Sequence, residues 1–177
     1  CERGLSQAMK TQINRVLGAG DFKGKAKSTI SLVGGEDGKI ILAGLGKSDK
    51  ISAHDYRKAG AAVFAAIKKI HGNDFTVRFS NAGVAQMAAF AEGMMLRDYS
   101  YDHYKMKDDD AEGEDAVKQV RLACSEKEAG DLTALVEQYR GVAKGVHLSR
   151  DLGNCPPNDM YPEEFADRAY EWAKQYD

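Results

Sequence analysis

Residues 28–43, STISLVGGEDGKIILA, decide the fold class. Ser28–Val33 and Lys39–Ala43 are short apolar runs and read as two strands. Between them, Gly34-Gly35-Glu36-Asp37-Gly38 has the composition of a hairpin connector. Outward from this hairpin the hydrophobic period changes. Leu5, Met9, Ile13, Val16 and Leu17 recur at helical spacing before it, and Gly18-Ala19-Gly20-Asp21 stops that helix. After it, Tyr56, Ala59, Val63, Ala66, Ile67 and Ile70 form a second helical stripe, with His71-Gly72-Asn73 as its stop. Phe75, Val77 and Phe79 alternate as in a strand, and Val84, Met87, Ala88, Ala91 and Met95 return to helical spacing. Ala116–Cys124 reads as a further strand. Ser125 with Glu128 three residues on is a capping box. Behind it Leu132, Leu135, Tyr139, Val142 and Val146 make a helical stripe. Strands alternating with helices point to an α/β fold.

The composition is that of a globular chain. Its 177 residues are 43% hydrophobic and 29% charged, enough for one domain or one domain plus a short extension. The formal net charge of −2 excludes attraction to nucleic acid or an anionic membrane by bulk charge alone. No apolar run approaches the roughly 20 residues of a membrane-spanning helix, and residues 1–17 carry too many charges for a signal peptide. Cys1, Cys124 and Cys155 are too few and too scattered for a disulfide framework, which suggests a reducing cytoplasm. The sequence opens at Cys1 instead of Met, so residues upstream are expected.

Several constellations that could carry chemistry have a simpler reading. Gly44-Leu45-Gly46-Lys47-Ser48 follows a strand and precedes a helix, where phosphate loops sit. A P-loop needs glycine at the position of Ile41, and a dinucleotide fingerprint needs glycine at Asp49. The stretch is therefore read as a tight turn that glycine backbones make. Asp108, Asp110, Glu112 and Gly113 match the first half of a calcium loop, but its closing Glu falls on Gln119. Lys107–Asp115 is read instead as a solvated acidic loop. His54, His71, His103 and His147 form no metal-ligand spacing and are read as surface or helix-end residues. Cys124 is read as a small buried hydrophobe. Lys23, Lys25 and Lys27 would put three ammonium groups on one side of an extended stretch, a phosphate contact; the simpler reading is a strand edge guarded by lysines.

Asn154-Cys155-Pro156-Pro157-Asn158 breaks the chain. Pro162 then opens a last helix, with Phe165, Ala169, Trp172 and Tyr176 on one face. The division that follows is 1–150 as a domain and 151–177 as a linker and helix, with Asn154–Pro157 as the hinge. Phe165, Trp172 and Tyr176 would form an apolar face that this domain does not bury, so the last helix is expected to be weakly anchored.

Two stretches carry a family resemblance. Ala91-Glu92-Gly93-Met94-Met95-Leu96-Arg97-Asp98-Tyr99-Ser100-Tyr101-Asp102-His103-Tyr104-Lys105 resembles a segment of the leucyl (cytosol) aminopeptidase family. Arg150-Asp151-Leu152-Gly153-Asn154-Cys155-Pro156-Pro157-Asn158, with Pro162 and Phe165-Ala166 after it, resembles the family's junction between N-terminal and catalytic domains. Gly20–Lys25 and Leu45-Gly46-Lys47 are weaker echoes, and all fall in family order. The physical sense of these motifs is scaffolding. Gly93 allows close helix packing, the tyrosines join apolar area to hydroxyls, Arg150 and Asp151 pair locally, and Pro156-Pro157 stiffen the exit.

The resemblance implies a macro-domain-like mixed sheet flanked by helices, followed by a C-terminal linker helix. It identifies 1–150 as an N-terminal, non-catalytic domain and places the catalytic domain beyond residue 177. The family's enzymes release N-terminal amino acids, leucine preferred, from peptides. They use two divalent metal ions, manganese or zinc, held by Asp, Glu and Lys of the C-terminal domain. None of those motifs matches this sequence. No catalytic, metal or substrate-binding residue is therefore expected here, and the segment alone is expected to be inactive. The resemblance also implies a cytoplasmic homohexamer and no membrane partner. Family members have a strand before the first helix; only Cys1–Gly4 stand there in this sequence, so that strand is either absent from the segment or very short. Two alternatives are a DNA-binding module acting through Lys23, Lys25 and Lys27, and a macro-domain-like binder of ADP-ribose using the Gly44–Ser48 turn.

Overall fold

The computed structural model describes residues 5–34, 38–47, 51–70, 72–105 and 119–175. The Lys107–Asp115 loop, His71, Tyr176 and the tip of the hairpin lie outside them.

The first unit is a hairpin with a helix on it. Helix α1 (Gln7–Ala19) starts where the Ser6 hydroxyl accepts from the Met9 amide at 3.2 Å. It ends at Gly20, whose φ of 77° is the left-handed conformation glycine adopts freely. Strands β1 (Thr29–Gly34) and β2 (Gly38–Ala43) pair antiparallel, with Ile30 opposite Leu42 and Leu32 opposite Ile40. These four residues pack on Met9 and Ile13 of α1. Ile41 and Ala43 alternate to the other face, where they meet the main core.

That core is built on α2 (Ala53–Ile67) and α3 (Val84–Arg97). Tyr56, Ala59, Val63, Phe64 and Ile67 of α2 bury against Ala89, Phe90 and Met94 of α3. Each large side chain so buried contributes about 1.5–3 kcal/mol. Strands β3 (Asp74–Val77) and β4 (Gln119–Leu122) pair in parallel, with Phe75 beside Val120 and Val77 beside Leu122. Those four residues join the same core, while Thr76 and Arg121 are exposed.

The α/β fold with helices on strands is the one read from the sequence. Its described strands fall into two ladders, one antiparallel and one parallel. Helix α2 and strand β3 each end earlier than the sequence suggests. Helix α2 stops at Ile67 and residues 68–70 turn, because Lys69 and Ile70 bond the carbonyls of Ala66 and Ile67 three residues back. Strand β3 ends before Phe79, whose ring turns onto Phe90 edge-to-face at 5.2 Å.

Helix α4 (Glu126–Asn154) is 29 residues long and packs Leu132, Leu135, Val136 and Tyr139 along α3. The heptad stripe drifts off the buried side: Val142 is 49% exposed and Ala143 takes the inner place. At about 3.6 residues per turn, 132, 136, 139, 143 and 147 share one face. The helix runs past Arg150 and Asp151 to Asn154, and Cys155, extended ahead of Pro156, ends it. Helix α5 (Pro162–Ala173) has proline in its first turn and no buried residue. Among the described residues, no helix is long and apolar enough to cross a membrane.

Candidate functional site

Three places collect the residues singled out in the sequence. The first is the glycine turn after β2. Its Gly44 is buried, and a Cβ there would lie 2.2 Å from the Lys25 carbonyl oxygen. Gly46 has φ of 92° and donates its amide to the Gly24 carbonyl at 2.9 Å. Glycine is needed because two stretches of backbone touch in this tight turn. The same contact corrects the reading of Lys23, Lys25 and Lys27. All three are exposed, but they sit on an irregular loop with left-handed φ at Gly24 (60°) and Lys27 (66°). They form neither an extended row nor a strand edge.

The second is a polar cleft of about 340 Å³ at the C-terminal ends of β3 and β4, lined by Ser80, Asn81, Cys124, Ser125 and Glu128 among others. The Glu128 carboxylate accepts from the Ser125 amide at 3.2 Å and from its hydroxyl at 2.6 Å, which closes the capping box. These bonds hold the Glu128 pKa below its ordinary value, the hydroxyl contributing most. The start of α4 is thus already supplied with a negative charge. Cys124 is exposed here, contrary to its reading as a buried hydrophobe, because β4 has ended at Leu122.

The third is a seam where the two motif stretches meet, and it is the most connected of the three. The loop after α3 lies along the end of α4. The Arg150 guanidinium donates to the Leu96 carbonyl at 3.0 Å and lies 5.3 Å from the centre of the Tyr99 ring. Arg150 therefore reaches across to α3 instead of pairing locally with Asp151. The Asn154 amide donates to the Tyr99 hydroxyl at 2.9 Å. The Tyr104 hydroxyl donates to the Asp159 carboxylate and lies 3.6 Å from Cys155 Sγ. The carboxylate it faces pushes the Tyr104 pKa far up, so the hydroxyl keeps its proton and remains a donor. Burial is the main cause raising Tyr99 and Tyr101. The sequence singles out these tyrosines and most of the residues they meet, but not which meets which.

Among the described residues the histidines do not converge. His54 and His103 are exposed. His147 departs from the surface reading: it packs 5.3 Å from the Tyr99 ring, and its Nε2 is buried without a hydrogen-bond partner among the described residues. Among the described residues no three His, Cys, Asp or Glu side chains come together as a metal site. The described residues thus do not fit a pair of metal ions.

Residues 2–108 match the sequence profile of the cytosol aminopeptidase family, N-terminal domain. A probable cytosol aminopeptidase of Rhizobium etli is 37% identical over 158 residues, covering 85% of this chain and 31% of that protein. One from Rhodopseudomonas palustris is 35% identical over 181 residues, covering 97% of this chain and 35% of its own length. The chain thus spans about a third of the length of these curated relatives. Among solved structures, a tomato leucine aminopeptidase mutant superposes with TM-score 0.77 at 23% identity, covering 99% of this chain and 35% of that one. The bottromycin maturation enzyme BotP in complex with Mn does so with TM-score 0.72 at 23% identity, covering 97% and 34%. These two likenesses speak for the fold.

Proposed function

The chain belongs to the cytosol aminopeptidase family, and on that premise we propose that it is the non-catalytic N-terminal part of a metal-dependent exopeptidase. The longer protein would release N-terminal amino acids, leucine preferred, from peptides. Its two divalent ions, manganese or zinc, would be held by residues beyond 177, where they polarise the scissile carbonyl and activate water. Residues 1–150 form the domain and 151–177 the linker and helix; the linker begins as helix, since α4 continues unbroken to Asn154. A cytoplasmic homohexamer completes the reading.

The observation that carries it is the match of residues 2–108 to the family's N-terminal domain in a chain spanning 31% to 35% of its relatives. No catalytic, metal-binding or substrate-binding role is assigned to any residue of this chain. Its role is to support the domain that follows, and the seam of Arg150, Asn154, Tyr99 and Tyr104 is the contact through which it would do so.

The test is hydrolysis of a leucine chromogenic amide with manganese or zinc added and host aminopeptidases removed. The expected result is no turnover by the 177-residue chain and metal-dependent turnover by the longer protein. Turnover by the chain alone, or none by the longer protein with either metal, overturns the reading.

A further inference from the structure

The two prolines after α4 do not account for how α5 is held. They fix two φ angles, and the amides of Asp159 and Met160 close a turn onto the Pro156 carbonyl at 3.0 and 2.9 Å. These contacts shape the elbow locally and attach it to nothing else. Attachment comes from the loop after α3: the Tyr104 hydroxyl bonds the Asp159 carboxylate, whose other oxygen accepts from Asn158 at 2.9 Å. One turn back, Asn154 bonds Tyr99 and Arg150 bonds the Leu96 carbonyl. The elbow is thus tied to the body of the domain on both sides of Pro156.

We propose that Tyr99 and Tyr104 form a clamp that fixes the α4–α5 elbow and so sets the direction in which α5 presents Phe165 and Trp172 to the polypeptide that follows residue 177. The naming of that occupant rests on the proposed function. Phe165 and Trp172 form, with Leu148 and Leu152 of α4, an open apolar groove of about 470 Å³. Phe165 is 50% exposed and no residue of α5 is fully buried. The relatives are about three times as long as this chain, and on the proposed function their remaining length follows residue 177, a few residues from this groove. A groove this open does not fix one orientation for α5, which leaves the task to the elbow.

Trp172 is the only tryptophan, so its fluorescence reports on α5 alone. The experiment compares the 177-residue chain with its Tyr104→Phe and Asp159→Ala variants. Each should red-shift Trp172 emission and speed hydrogen exchange at the Asp159 and Met160 amides by about fivefold, the effect of one exposed hydrogen bond. Exchange in α2 and α3 should be unaltered in both. The proposal is overturned if either variant leaves the emission or the elbow exchange at the parent value, or if α2 and α3 exchange faster to the same degree. These readouts need no peptide hydrolysis, so their failure leaves the aminopeptidase reading standing, and the converse holds too.

Discussion

Gly60 of α2 and Gly93 of α3 each stand against the backbone of the opposite helix. A Cβ on Gly60 would lie 2.0 Å from the Phe90 carbonyl oxygen, and one on Gly93 would lie 1.9 Å from that of Arg57. Backbone cannot swing aside as a side-chain tip can, so either alanine must push the helices apart through the middle of the main core. Gly60→Ala and Gly93→Ala should each cost about 3 kcal/mol or more, at the upper end of overpacking effects. Gly141→Ala is the comparison, because a Cβ there meets nothing within 4 Å. It should be neutral or slightly stabilising by helix propensity. Urea unfolding of the three variants checks this; equal midpoints would mean the helices yield without cost.

Beside this crossing, Arg57 bonds Glu92 through Nε at 2.7 Å and Nη2 at 2.6 Å. The two side chains are unequally buried, 32% exposed for Arg57 and 9% for Glu92. If Glu92 is removed, the guanidinium can turn to water. If Arg57 is removed, a carboxylate is left buried and unpaired. Arg57→Ala should therefore cost about 3–5 kcal/mol and Glu92→Ala about 1–3 kcal/mol. The order of the two losses in denaturant titrations is the check, and a reversed order refutes the argument.

What was legible in the sequence is what local spacing encodes. The stripe of Tyr56, Ala59 and Val63, the hairpin and the Ser125–Glu128 box are short-range patterns, and each appears in the fold. The same closure at Ser52–Asp55 is an equally short-range pattern. The seam was not legible. Arg150 meets Leu96 across 54 residues and Asn154 meets Tyr99 across 55. No periodicity carries such a pairing, and an arginine next to an aspartate invites a local pair that the fold does not make. The inward turn of His147 was hidden for another reason: over a 29-residue helix, a seven-residue repeat drifts away from the true helical face.

Three carboxylates, Asp102 exposed and Asp55 and Glu128 half-buried, stabilise the fold in one pH direction. Asp55 is held low by the Ser52 backbone and hydroxyl, Asp102 by Lys105 and Ser100, and Glu128 by the Ser125 hydroxyl and backbone. A depressed folded pKa means the ionised form favours the fold. For Glu128 that contribution is complete above its ordinary value of 4.5 and disappears as pH falls through the lowered value. Glu128→Gln keeps an acceptor for the cap but removes the titration. Its melting temperature should fall less than the parent's between about pH 6 and about pH 3, which lie on either side of the ordinary value of 4.5. Thermal melts at the two pH values check this, and parallel acid limbs would show that Glu128 contributes nothing to them.

The two C-terminal helices should respond differently to truncation. Leu132 of α4 is 5% exposed and packs with Met87 and Ala88 of α3, so its truncation opens a cavity between helices that are held on other sides. Leu132→Ala should cost about 2–5 kcal/mol. Phe165 of α5 is 50% exposed and only lines an open groove, so Phe165→Ala should cost less than about 1 kcal/mol in this chain. In the longer protein, with the polypeptide after residue 177 seated on that groove as inferred above, the loss from Phe165→Ala should approach that of a core truncation. The Leu132→Ala loss should be the same in both, because its surroundings lie wholly within residues 5–175. Denaturant unfolding of each variant in both lengths makes the comparison. A Phe165→Ala effect of equal size in the two lengths would mean that nothing beyond residue 177 covers α5.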